Sequence, residues 1–137
     1  MMAGTTFSRS RQFSMYEPLM AFCTGDPVDI AFDQSHPPCF PFPVYARRFF
    51  ANFLALPAVA MQRVPQTGEA AMLVVKTSSY GGAVYVAVAN LEFIPVRARV
   101  AIPATAVSAV RPLAGADVGM PFFVSPRGIS FDVTLDA

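Results

Sequence analysis

Residues 83–102 read AVYVAVANLEFIPVRARVAI, and the fold is decided by how this stretch is read. Val84, Val86 and Val88 fall on one side of the chain, and Ala83, Tyr85, Ala87 and Ala89 on the other. A period of two belongs to an extended strand, whose successive side chains point to opposite faces. Neither side of residues 83–90 is strongly polar, so this strand is expected to be covered on both faces. Val96–Ile102 alternates more sharply. Val96, Ala98, Val100 and Ile102 are predicted to point inward, with Arg97 and Arg99 in water.

Working outward, the same period recurs. Ala71–Thr77 (AMLVVKT) reads as a strand, and Ser78–Gly82 (SSYGG) as a five-residue, glycine-containing hairpin connection. Val107–Leu113 is a weaker strand broken by Pro112, and Pro121–Ser125 is a short one. Ile129–Leu135 alternates again, with Ile129, Phe131, Val133 and Leu135 inward and Ser130, Asp132 and Thr134 outward. Gly128, after Pro126 and Arg127, is a natural turn residue. No helical pattern interrupts this series, so residues 58–137 are predicted to form an antiparallel β-sandwich of about six to eight strands.

Residues 1–57 read differently. Residues 1–15 are polar and aperiodic, and a frayed lead-in is expected. Val28–Phe32 (VDIAF) reads as a short strand, and residues 36–43 (HPPCFPFP) as a rigid loop that prolines bar from helix and sheet interior. A single helix is predicted over residues 43–56, with Pro43 in its first turn and Pro57 ending it. Tyr45, Phe49, Phe53 and Leu56 make one apolar row, and Ala46, Phe50 and Leu54 a second beside it. Arg47, Arg48, Ala51, Asn52 and Ala55 make the small or polar side. The predicted fold is therefore mainly β, with one N-terminal helix packed on a sandwich.

Composition narrows the function classes. Of 137 residues, 54% are hydrophobic and 14% charged, which excludes a disordered tail. Ten Lys and Arg against nine Asp and Glu give a net charge of +1, so no basic footprint points to nucleic acid or an anionic membrane. The longest apolar runs are far shorter than the ~18 residues that span a bilayer, so no membrane partner is expected. The opening residues lack the apolar core of a signal peptide, and a cytoplasmic location is the expectation. A chain this poor in charge is expected to cover apolar surface with a second copy of itself or with a further domain.

Chemistry-bearing residues concentrate in one place, where Asp26, Asp29, Asp33, His36 and Cys39 follow one another. Paired carboxylates there suit general acid–base work on a glycoside. The bland alternative is a loop whose aspartates cap turns. Cys23, His36 and Cys39 lack the paired spacing of a zinc site, so neither a metal nor another cofactor is expected. The two cysteines are read as reduced thiols, the alternative being a disulfide closing a loop of about 16 residues. His36 is the sole histidine, so a nucleophile–histidine pair would depend on it alone. Tyr80 beside Gly81 and Gly82 is a candidate platform for a sugar ring, or merely the cover of a hairpin. No phosphate-cradling or nucleophile-elbow motif is present.

ARRFFANFLALPAV (46–59), AAMLVVKTSS (70–79), AVYVAVANLEFIPVRARVAIPA (83–104) and SPRGISFDVTL (125–135) resemble the C-terminal part of glycoside hydrolases. In that family a catalytic (β/α)₈ barrel ends in a helix and an antiparallel sandwich follows. The resemblance implies that Val28–Asp33 matches the last barrel strand and Val44–Leu56 the last barrel helix. Asp33 and His36 would then lie on the substrate face of such a barrel. A whole barrel takes about 200 residues or more, and at most one of its units fits here. The resemblance thus implies a piece without the catalytic pair: a non-catalytic accessory domain that supports a barrel and contacts carbohydrate through Asp33, His36 and Tyr80. Two other readings stand beside it, a stand-alone carbohydrate-binding or protein-interaction module, and a small enzyme using Asp33 and His36.

Overall fold

The computed structural model describes residues 13–26, 44–92, 94–113 and 119–135. The chain divides into two compact units, Met1–Ala60 and Met61–Ala137.

The first unit contains two helices, α1 (Phe13–Thr24) and α2 (Val44–Ala55). The α2 helix lies where its periodicity placed it, but it ends at Ala55, where the Leu56 amide donates to Phe53 O at 3.1 Å in a tightened last turn. Its aromatic row is real: Phe49 and Phe53 stack at 6.3 Å, and Phe53 meets Phe22 of α1 edge-on at 6.2 Å. Arg47, Arg48, Ala51 and Asn52 are exposed as expected. Leu54 is not part of a wide apolar arc, since it is 77% exposed. The α1 helix corrects the single-helix expectation. Pro18 is its sixth residue, where proline removes an intrahelical hydrogen bond, and this is why the segment does not read as helix. The predicted strand at 28–32 and the proline-rich loop at 36–43 lie outside the described residues.

The second unit is the β domain. Its strands are β1 (Gln62–Arg63), β2 (Leu73–Tyr80), β3 (Ala83–Asn90), β4 (Val96–Ile102), β5 (Phe123–Ser125) and β6 (Gly128–Leu135). They form two antiparallel sheets of three, in the orders β1-β2-β3 and β4-β6-β5. The core combines Leu73 and Val75 of one sheet with Val96, Ala98, Val100, Ile102, Ile129 and Phe131 of the other. Val86 and Val88 pack against it. Val75 and Val100 are fully buried, each contributing about 1.5–3 kcal/mol of apolar burial. The burial of β4 alternates without exception, with Val96, Ala98, Val100 and Ile102 in and Arg97, Arg99 and Ala101 out.

Two expectations about the connections are corrected. The β2–β3 loop is two residues, Gly81 and Gly82, rather than five. Both have positive φ, 58° and 78°, which suits the tight turn whose twist matches a hairpin. Ser78, Ser79 and Tyr80 consequently continue β2, with Tyr80 opposite Ala83. Val107–Leu113 is not a strand; only an isolated bridge joins Val110 to Met120, with the Met120 amide donating to Val110 O at 2.8 Å. Ala106, at φ 58°, turns the chain into the left-handed region just before this segment, and Pro112 lacks the N–H a ladder needs.

A glutamine occupies one sheet edge. Gln66 Nε2 donates to Ala101 O at 2.9 Å, and the Ala101 amide donates back to Gln66 Oε1 at 3.0 Å. The carboxamide thus takes the place of a neighbouring strand on β4, and Nε2 also donates to Val64 O at 3.2 Å. Removing it in Gln66→Ala strands two backbone groups of β4. Because Ala101 is exposed and water can partly take over, urea titration is expected to show a loss of about 0.5–1.5 kcal/mol, whereas an unchanged midpoint would mean water replaces the side chain fully.

Candidate functional site

Polar and aromatic side chains gather on the outer face of the β4-β6-β5 sheet. Alternation places Arg97 and Arg99 there from β4 and Ser130, Asp132 and Thr134 from β6. Phe123 of β5 stands opposite Ser130 and joins them. Ala101 exchanges its backbone hydrogen bonds with Gln66, on the side of β4 away from β6. By alternation, Arg99 and Asp132 form a pair without backbone bonds between them, which brings side chains closer. Their contact is bidentate: Arg99 Nε donates to Asp132 Oδ1 at 2.8 Å and its terminal nitrogen to Oδ2 at 3.1 Å. The same guanidinium lies 4.4 Å from the centre of the Phe123 ring.

The hydrogen bond from Arg99, with the positive charges of Arg99 and Arg97, holds the Asp132 carboxyl below its ordinary value. The same hydrogen bond raises Arg99. Because the aspartate is depressed in the folded state, the pair's contribution is present above the unfolded value of about 3.9 and fades as pH falls through the folded one. Carboxyl NMR titration is expected to give Asp132 a midpoint below that of an ordinary aspartate, moving upward in Arg99→Gln. An Asp132 midpoint indifferent to that substitution would contradict the pairing.

Of the three residues expected to contact carbohydrate, only Tyr80 is described, and of the acidic cluster only Asp26, which is exposed. Tyr80 ends β2 beside the glycine turn and is 58% exposed. Asp33 and His36 lie outside the described residues, as does Cys39. Cys23 is buried in α1. Among the described residues, no group of three or more His, Cys, Asp or Glu is placed to hold a metal ion, and no helix is long and apolar enough to cross a membrane.

The chain matches no known family model, no curated protein and no solved structure. The site therefore rests on its own geometry. That geometry adds residues the sequence did not single out. Lys76 and Ser78 lie on the face of β2 opposite Val75, and both are buried. Ser78 Oγ has no hydrogen-bond partner among the described residues. Their signal is visible in hindsight: both are polar residues spaced two apart in a strand covered on each face.

Proposed function

We propose that this chain is a non-catalytic accessory domain of the kind that follows the barrel of a glycoside hydrolase, supporting that barrel and contacting carbohydrate. The observation that carries the reading is the order of elements. An aromatic-faced helix, α2, is followed by a sandwich whose β3, β4 and β6 contain the segments that resemble that family. Tyr80 supports the carbohydrate contact, because an exposed ring beside two glycines leaves a face free for the apolar side of a sugar.

A panel of aryl glycosides and an oligosaccharide titration test this together. Hydrolysis is expected at background. Sugar binding is expected to shift the NMR signals of Tyr80 and its neighbours. Tyr80→Ala is expected to weaken binding by the roughly 0.5–1.5 kcal/mol of an aromatic contact, up to about tenfold in Kd. Turnover that vanishes in Asp33→Ala would overturn the reading in favour of an enzyme. A second reading, a stand-alone carbohydrate-binding or protein-interaction module, is favoured by Phe123 and Val124 on β5, which are 53% and 74% exposed.

A further inference from the structure

The two sheets have four edges, and they are treated unequally. An unpaired edge offers a row of N–H and C=O groups to any passing strand, and proteins blunt such edges with shortness, charge, proline or a covering group. The β1 edge is two residues long and carries Arg63. The β5 edge is three residues, confined between Pro121 and Pro126. The β4 edge is occupied at Ala101 by Gln66 and carries Arg97 and Arg99. Among the described residues, the β3 edge has none of these devices. It is eight residues of AVYVAVAN, without charge or proline and with an unbroken register to β2.

The register shows which groups that edge presents. The Val64 amide donates to Val75 O at 2.8 Å, so the peptide groups of Val75 point toward β1 and away from β3. Val75 stands opposite Val88. Val88 is therefore not hydrogen-bonded to β2, and by alternation neither are Val86 and Val84. Their N–H and C=O groups point to the outer edge, where no described strand pairs with them. Ala83, Tyr85, Ala87 and Ala89 carry the ladder to β2. A second extended backbone matches three alternate peptide groups in a row and would replace the water that otherwise bonds them.

We infer that β3 is a self-pairing edge, through which two copies of this chain join antiparallel into one continuous six-stranded sheet. A second copy fits because β3 is uncharged, so the same strand set against itself brings no like charges together. Centring the two-fold on Val86 sets Val86 opposite its own copy and Val84 opposite Val88. All three outward residues then fall in hydrogen-bonded pairs. Val84, 45% exposed, gains a valine neighbour, and Tyr85 comes beside Ala87. This pairing stands independently of any carbohydrate role.

Sedimentation and amide exchange of the full chain test it. The expected species has twice the 14.7 kDa of the monomer. The amides of Val84, Val86 and Val88 are expected to be protected at high concentration and to lose protection on dilution, while those of Tyr85 and Ala87 stay protected throughout. Val84→Pro removes an outward N–H without touching the ladder to β2, and Val84→Lys keeps that N–H but adds a charge to the edge. Each is expected to weaken the dimer at least about tenfold, about 1.4 kcal/mol, with the strand signal in circular dichroism retained. If Val84→Pro fails to fold, Val84→Lys decides. A monomer at every concentration, or a dimer that Val84→Lys leaves intact, would overturn the inference.

Discussion

Gly128→Ala is expected to be the most damaging single substitution in the β domain. Neither Pro126 nor Arg127 has the positive φ that two-residue hairpins use, so the chain corrects its course at Gly128, at φ 136°. That conformation is already strained for a residue with a Cβ. Space is lacking as well. A Cβ at Gly128 would be driven into the carbonyl oxygen of Ile102 and would sit 3.0 Å from Pro103 Cα. These are backbone atoms of β4 and its end, so relief requires moving the strand that pairs with β6. The Ser125 hydroxyl, which donates to Gly128 O at 3.1 Å, ties the turn down from its other side. A loss of about 4 kcal/mol or more is expected, at the far end of the range for point substitutions. For a domain of this size it lowers Tm by roughly 15 °C or more. Two other glycines give the scale. Gly119 has open space and no positive φ, so Gly119→Ala is expected within about 0.5 kcal/mol of wild type. Gly81 has open space but φ 58°, so Gly81→Ala is expected to lose about 1–2 kcal/mol. A scan in which the three variants melt together would contradict this ranking.

Phe131→Ala is expected to rank second. Phe131 is 5% exposed, stands opposite Val100 on β4 and belongs to the cluster that joins the two sheets. The rest of that cluster is valines, alanines, isoleucines and a leucine, most of them held by strand backbones, which resist collapsing into the space left behind. The truncation should therefore combine lost transfer energy with a residual cavity, about 3–5 kcal/mol in all. Phe131→Leu keeps most of the volume and is expected to lose less than about 1.5 kcal/mol. Equal losses for the two would mean that the ring is not enclosed between the sheets.

The sandwich was legible where a strand is long and its two faces differ. In β4 and β6, arginines, serine, aspartate and threonine alternate with core residues, so period and facing direction could both be read. In β3 the period and the hairpin to β2 were clear, but its small residues on both sides read only as a strand covered on both faces and did not show its place in the sheet. The structure makes it an edge rather than a central strand. The glycine pair was legible as a turn, but its length was not, because Ser78, Ser79 and Tyr80 are as common in loops as in strands. The two-residue β1 is too short to show a period at all. The role of Gln66 depends on two segments meeting across 35 residues, which no local pattern announces. Most of the candidate site falls differently: Tyr80 was legible, whereas the Arg99–Asp132–Phe123 cluster follows from the β4-β6-β5 order. Its β5–β6 part is a hairpin, but the β4–β6 pairing that joins Arg99 to Asp132 is set by tertiary packing rather than by adjacency in sequence.

The central claim is that β3 and β4, consecutive in the chain, belong to different sheets. Cross-strand nuclear Overhauser effects in the full chain test it most directly. Backbone contacts are predicted between Val75 and Val88 and between Val100 and Phe131, with none joining the backbones of β3 and β4. A continuous set of backbone contacts between β3 and β4, as in a single meandering sheet, would contradict it.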